Sequence, residues 1–336
     1  MHKDETVGVK TGNDVASTEA PSTADDDNAV LEELVGPARA TGHPPPTAQP
    51  PPVQLDQMQV TSSTDESDFR LFYGLKDNPF PDSVNPAFFY KTNSHELAYV
   101  RMTLAVRNDV SLGLVTGPSG TGKTLISQMV LQNLDPAEHV PAVVLVSPAM
   151  SKMALLKEIL NELGLELPDQ KVLSAQDLLN VLQSYIIDLY QKGQKLVLLI
   201  DECHFLAADS LHMLRTISNI EVPEHKLSTC LLFAEDRFLK RLRHPSYESL
   251  RNRIYLHGEL KLLSAEDCKQ YIKFRLLRVG RMHDLFDDSG IAALHERAGG
   301  VCRRINKLGM LALIEGTLRR HPMITSEVIS ACQDTL

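Results

Sequence analysis

The sequence predicts an α/β fold in which a parallel sheet is flanked by helices, followed by a small all-helical part toward the C-terminus. Three observations predict it. Strand-length apolar runs alternate with amphipathic helical segments between residues 94 and 260, the pattern of a parallel sheet covered on both faces. The string Gly117-Pro118-Ser119-Gly120-Thr121-Gly122-Lys123-Thr124 sits between one such strand and the next helix, the setting of a phosphate-binding loop. A second apolar run, Leu196-Val197-Leu198-Leu199-Ile200, ends in Asp201-Glu202, placing two carboxylates at the carboxyl end of a buried strand, where ligands sit in open α/β sheets.

Each element follows from local pattern. Ser94 can cap a helix to about residue 107, with Leu97, Val100, Leu104 and Ala105 on its core face. A strand is expected over 110–116 and a helix over 123–134. A second strand over 142–147 leads to a helix over 151–163, whose Leu155, Leu156, Ile159, Leu160 and Leu163 keep helical spacing. Ser174 and Asp177 make a capping box for a helix ending near 191. Strand 196–200, helix 208–220, and strands 228–234 and 253–260 complete the sheet region. Beyond residue 260 the rhythm becomes helical throughout, opening on a second capping box, Ser264 with Asp267, for a helix to about 279. Helices over 289–298, 303–319 and 325–334 follow. The expected organisation is a tail over 1–68, a nucleotide-binding domain over 69–262 and a helical lid domain over 263–336.

Charge separates the tail from the body. Of 34 Lys/Arg and 43 Asp/Glu in 336 residues, Met1 to Asp68 holds three basic and thirteen acidic residues, so the body is near neutral. The tail lacks hydrophobic periodicity and contains Pro44-Pro45-Pro46 and Pro50-Pro51-Pro52; it cannot bury enough apolar surface to offset chain entropy and is expected to be disordered, with a short helix possible over 29–34. No apolar signal segment opens the sequence and no run approaches the ~20 residues of a membrane span. Cys203, Cys230, Cys268, Cys302 and Cys332 are widely spaced without metal-ligand rhythm, which fits reduced, buried thiols in a cytoplasmic protein.

The loop and the carboxylates point to nucleotide chemistry. Glycines let the backbone amides of residues 117–122 turn toward an anion, and the helix N-terminus adds its partial positive charge. Lys123 is expected on the terminal phosphates of ATP and Thr124 on Mg²⁺. Asp201 is expected to hold the Mg²⁺ through water and Glu202 to polarise the attacking water. Asp201-Glu202-Cys203-His204 also spells the box of a DExH helicase; such an enzyme needs a second sheet domain, and too little chain follows residue 260. His204 is expected at the start of the next helix, near enough to the site to matter but without an assigned role. Arg237, Lys240, Arg241 and Arg243 form a basic cluster that reads either as a DNA surface or as a solvated helix face.

With these pieces placed, the body from about Phe72 onward resembles AAA+ ATPases of the ExeA/GspA type, known from general secretion and related envelope systems. Phe72-Tyr73-Gly74-Leu75-Lys76 and Asn78-Pro79-Phe80 look like that family's opening, and Leu214 to Ile220, Leu250-Arg251-Asn252-Arg253-Ile254 and Gly299 to Asn306 fall in its order. The resemblance implies an AAA+ P-loop NTPase that works as a homo-oligomer on a protein client of an envelope or secretion complex. It makes Arg251 and Arg253 candidate fingers for a neighbour's γ-phosphate, although on the residues alone they also read as surface arginines before a strand. It makes Arg303 the second sensor, or Arg304 if the register shifts by one. Glu235 departs from the family, which usually places a polar uncharged residue there to sense the γ-phosphate. A carboxylate repels phosphate unless it is protonated, turned away or paired with a cation such as Arg237. Such secretion ATPases often continue into a membrane span and a peptidoglycan-binding domain, neither of which is read here, and similar ATPases of transposition, of the TniB/TnsC kind, assemble on DNA. Three functions are therefore expected in this order: an ATPase driving assembly or remodelling of a protein complex, a DNA-associated regulator of transposition, and a nucleotide-gated binding module with little hydrolysis.

Overall fold

The structure, a computed structural model, describes residues 68–166 and 173–332. The expected tail, apart from Asp68, and the last residues of the helix expected to reach 334 lie outside the described residues. A short helix α1 (Phe69–Tyr73) leads through an irregular strap to α2 (Asn93–Arg107). Then come β1 (Leu112–Thr116), α3 (Lys123–Gln132), β2 (His139–Leu145), α4 (Lys152–Glu162), α5 (Ala175–Gln191), β3 (Lys195–Asp201) and α6 (Ala208–Ile217). A small hairpin, β4 (Glu221–Val222) with β5 (His225–Lys226), precedes β6 (Ser228–Ala234). The chain continues through α7 (Arg237–Leu242), α8 (Glu248–Arg251) and β7 (Ile254–Glu259) to α9 (Ala265–Arg278), α10 (Asp288–Ala298), α11 (Cys302–Leu318) and α12 (Ser326–Ala331).

The main sheet has the order β2-β3-β6-β1-β7, with every neighbouring pair parallel. Alternation along each strand divides its side chains between two cores. Leu196, Leu198 and Ile200 of β3, with Cys230, Leu232 and Ala234 of β6, face a core completed by Leu155, Ile159, Leu182 and Ile186 of α4 and α5. Val197, Leu199, Leu231 and Phe233 face the opposite side, where Met102 and Ala105 of α2 and Ile126 and Val130 of α3 cover them. Both expected capping boxes are formed, Ser174 with Asp177 at α5 and Ser264 with Asp267 at α9.

Helix α2 corrects two expectations. Its cap is Thr92, whose hydroxyl accepts from the His95 amide, rather than Ser94. Leu97, Val100 and Leu104 lie on the outer face, at 48%, 42% and 40% exposure, while Ala98, Met102 and Ala105 are fully buried. The reason is the closeness of β7: a Cβ at Gly258 would meet the Ala98 Cα and Cβ at 2.8 Å, so only small side chains fit between helix and strand.

The strap before α2 packs with the C-terminal helices. Tyr73, Leu75, Phe80 and Phe88 share a core with Tyr271, Ile272, Leu294, Ile305 and Leu313. Gly309 and Gly316 of α11 make room for it, since a Cβ would stand 2.8 Å from the Phe80 ring and 2.3 Å from Tyr73 Oη. Tyr73 Oη donates to His321 O at 2.9 Å and Lys76 N to Val279 O at 2.9 Å.

Candidate active site

Strand β1 is buried along its whole length and releases the chain into the 117–124 loop at the carboxyl edge of the sheet. Three glycines shape the turn. A Cβ on Gly117 would lie 2.8 Å from Leu260 O, and Gly120 and Gly122 have φ of 76° and 104°, the left-handed region that glycine enters freely. Gly122 caps α3 without any side-chain hydrogen bond, leaving the first amides of the helix to an anion. Thr121 Oγ1 donates to Pro118 O at 2.8 Å, and Lys123, only 4% exposed, donates from Nζ to Gly117 O at 3.2 Å and Pro118 O at 3.1 Å. The lysine is thus folded along the loop that carries it.

Strand β3 brings the carboxylates to the same edge. Thr124 Oγ1 donates to Asp201 Oδ2 at 2.6 Å, and Asp201 Oδ1 accepts the Glu202 amide at 2.8 Å. Glu202 has φ 53°, a conformation that costs a non-glycine residue about 1–2 kcal/mol and swings its side chain away from the strand direction. Burial, and next the charge of Asp201, push the Glu202 carboxyl above its ordinary pKa, in the direction that makes a carboxylate a better base.

His204, which the sequence places near the site without a role, belongs to this group. It lies in a one-turn 3-10 helix, Cys203–Phe205, with its side chain 1% exposed. Its Nδ1 accepts the Glu235 amide at 3.2 Å and lies 3.4 Å from Glu202 Oε2. Burial, then Arg237, lower its pKa. Glu235, at the end of β6, takes Arg237 Nε at 3.0 Å, and the Arg237 guanidinium lies 4.8 Å over the Phe205 ring. Of the expected basic cluster, Arg237, Lys240 and Arg243 stay exposed. Arg237 is held by Glu235, and Arg241 points inward to Leu206 O and to Tyr247 Oη.

The predicted arginines fall in two places. Arg303, the second residue of α11, donates its amide to Gly120 O at 3.1 Å and lines the cavity above the loop together with Glu202; Arg304 does not line it. Arg251 and Arg253 stand at the other end of the sheet. Ile254 pairs with Leu112 at the start of β1, whereas Glu259 pairs with Thr116 beside the loop. The length of β1, four steps of about 3.3 Å each, separates the two arginines from the loop of their own chain.

Residues 106–242 match the sequence family described as an AAA domain. Solved structures agree over a longer stretch: the Aeropyrum pernix ORC1 protein in complex with DNA superposes with a TM-score of 0.57, at 19% identity, over 76% of this chain and 67% of that one. The fold is AAA+. The Aeropyrum pernix ORC2 protein in its ADP form (TM-score 0.54, 16% identity, 73% of this chain and 71% of that chain) and Drosophila ORC bound to DNA (0.54, 15%, 84% and 70%) share the AAA+ fold. In sequence, the chain is 30% identical over 267 residues, 79% of its length, to general secretion pathway protein A of Aeromonas hydrophila. It spans about half of that relative, 48%.

The AAA+ cavity is walled by the loop, by strap residues such as Asn85, Phe88 and Tyr90, and by Tyr271, Arg275 and Asn306 of the C-terminal helices. Arg275 is 7% exposed and donates to Tyr271 Oη at 2.6 Å and Pro79 O at 3.2 Å, with its guanidinium 4.7 Å over the Phe88 ring. Tyr271 Oη donates in turn to Asn306 Oδ1 at 2.7 Å. His95, 4% exposed, contacts Thr121 O. Sequence reasoning missed His95, Tyr271 and Arg275. Each works through a partner 26 or more positions away, and no local spacing announces that. Among the described residues no helix is long and apolar enough to cross a membrane.

Proposed function

We propose that this chain binds ATP with Mg²⁺ at the Gly117–Thr124 loop, hydrolyses it, and uses the turnover to assemble or remodel a protein complex of an envelope or secretion system. The observation that carries the reading is the 2.6 Å hydrogen bond between Thr124 Oγ1 and Asp201 Oδ2. It brings together two hard oxygens of the kind Mg²⁺ takes, one from the helix after the loop and one from the end of β3. When bound, the ion neutralises charge on the β- and γ-phosphates. Lys123 exchanges its two carbonyl partners for phosphate oxygens, and the amides of 120–124 hold the rest of the anion.

Glu202 takes a proton from water as the water oxygen bonds to the γ-phosphorus and the bond to the bridging oxygen breaks, leaving ADP and phosphate. Arg251 or Arg253, too far from the loop of its own chain, is supplied by a neighbouring copy, so the active species is a homo-oligomer. An arginine there stabilises charge that develops in the transition state. Arg303 reports the nucleotide state to the lid because its amide is already bonded to Gly120 O. Glu235 is neutralised by Arg237 and need not repel the γ-phosphate, which favours hydrolysis over a purely gated binding module.

The secretion or envelope client rests on the Aeromonas relative, and with it a cytoplasmic placement where ATP is available. A DNA-associated role has weaker support, since Arg237 and Arg241 are engaged within the protein. Phosphate release by the full chain tests the reading: Glu202→Gln should abolish release and retain nucleotide, and Lys123→Ala should lose both. Release unaffected by Glu202→Gln would overturn the assignment. Salt-dependent binding to duplex DNA, strengthened by ATP, would move the client from protein to DNA.

A further inference from the structure

We infer that His95 is a positioning residue that locks the Thr121–Gly122 peptide with its N–H toward the phosphate, an inference that rests on ATP binding at this loop. His95 Nε2 lies 2.8 Å from Thr121 O, and Nδ1 lies 2.6 Å from Thr92 Oγ1. A carbonyl can only accept, so Nε2 carries the ring proton and Nδ1 accepts from the Thr92 hydroxyl. That hydroxyl also receives the His95 amide as the cap of α2. The tautomer is thereby fixed by the start of a helix. Burial favours the neutral ring, and Phe89 stands edge-on to it with centroids 6.2 Å apart.

The consequence falls on the loop. In a trans peptide C=O and N–H point in opposite directions. With Thr121 O held toward α2, the Gly122 N–H must face away from α2. Reversing that peptide would replace a donor by a carbonyl oxygen on the side where an anion binds. Glycine at 122, with φ 104°, makes such a reversal easy, because it has no Cβ to oppose rotation. Thr121 does not secure the peptide itself, since its hydroxyl is spent on Pro118 O. The imidazole is the group that holds this peptide, and it comes from outside the loop.

Glutamine carries its amide nitrogen near the position of Nε2 and can still donate to Thr121 O; leucine cannot. His95→Gln and His95→Leu are therefore compared in the full chain by fluorescence titration with a labelled ADP, by steady-state phosphate release, and by thermal unfolding without nucleotide. The expected result is that His95→Leu weakens nucleotide binding tenfold or more and raises KM far more than it lowers kcat, while His95→Gln stays within about threefold of the parent. Thr92→Val keeps the imidazole but frees its tautomer, so it remains informative if His95→Leu fails to fold; a loss of binding between those of the other two variants is expected. Equal affinity in His95→Leu and the parent, or a His95→Gln variant as weak as His95→Leu, overturns the inference, as does a Thr92→Val variant that binds like the parent. A parent chain that binds no nucleotide overturns the ATP reading instead.

Discussion

Replacing Gly117 by alanine adds one methyl group at the point where the phosphate loop leaves the sheet, and the structure sets its cost. The new Cβ would stand 2.8 Å from Leu260 O, 2.9 Å from Leu260 Cβ and 3.2 Å from Thr121 Oγ1. Carbon atoms settle at about 3.5–4.0 Å, so Leu260 and the loop must part by more than half an ångström. The backbone resists, because Leu260 N donates to Thr116 O at 2.7 Å, one residue before Gly117. Overpacking of this kind costs about 1–3 kcal/mol, which in a domain of this size lowers Tm by about 4–8 °C near the middle of that range. Gly193→Ala is the matched control: its φ is 73° and nothing lies within 4 Å of its Cβ, so it carries only backbone strain, about 1 kcal/mol. Both variants are measured by thermal unfolding and by ADP titration. Gly193→Ala should lose a little stability and bind nucleotide normally; Gly117→Ala should lose more stability and also affinity, because the loop has moved. Unchanged affinity in Gly117→Ala, or an equal loss in both, would refute the reasoning.

Three further outcomes follow from the same geometry. Arg251→Ala and Arg253→Ala, mixed with Lys123→Ala protein, should recover phosphate release at interfaces where a good loop meets a good arginine; a fully active monomer at all concentrations would sink the shared site. Burial opposes ionisation of Asp109, but hydrogen bonds from Lys195 and His225 outweigh it and hold the carboxyl below its ordinary pKa. Its contribution is then present above the unfolded value near 3.9 and lost as pH falls through the folded value. Asp109→Asn should lower Tm at neutral pH by the equivalent of about 1 kcal/mol, the partly exposed pair being screened by solvent. That difference should close as the carboxyl is protonated in acid, and one that persists unchanged down to the acid-unfolding limit contradicts the pairing. Breaking the Tyr271–Asn306 hydrogen bond with Tyr271→Phe leaves Arg275 with fewer acceptors in a buried place and should cost about 1–3 kcal/mol in urea unfolding; a midpoint equal to the parent's would show that the contact is idle.

The placement of the loop and of the β3 carboxylates was legible in the sequence because their pattern is local: clustered glycines, an adjacent Lys-Thr, a strand that ends in Asp-Glu. Both capping boxes and β6 were legible for the same reason. The misreadings are tertiary. Hydrophobic periodicity put Leu97, Val100 and Leu104 in the core with Ala105 because it weighs size, whereas the approach of Gly258 selects Ala98, and of that set only Ala105 is buried. The β4–β5 hairpin, Glu221 to Lys226, is short and charged and offers no alternation to read. Arg241 reads as part of a solvated or DNA-facing surface, but it turns inward to the Leu206 carbonyl, whereas Arg237 stays largely exposed and makes the pairing with Glu235 that the sequence offered. His95 and His204 acquire meaning only from what the fold sets beside them.

The strap from Phe69 to Tyr90 has a mechanical consequence. Tyr73, Leu75, Phe80 and Phe88 pack with the C-terminal helices, and the strap bonds to the turns after α11 and α9 through Tyr73 Oη on His321 O and Lys76 N on Val279 O, while Phe89 packs on the sheet side. If the helical part swings over the nucleotide, the strap is carried along as part of the moving body, and so is the point at which the acidic tail is joined.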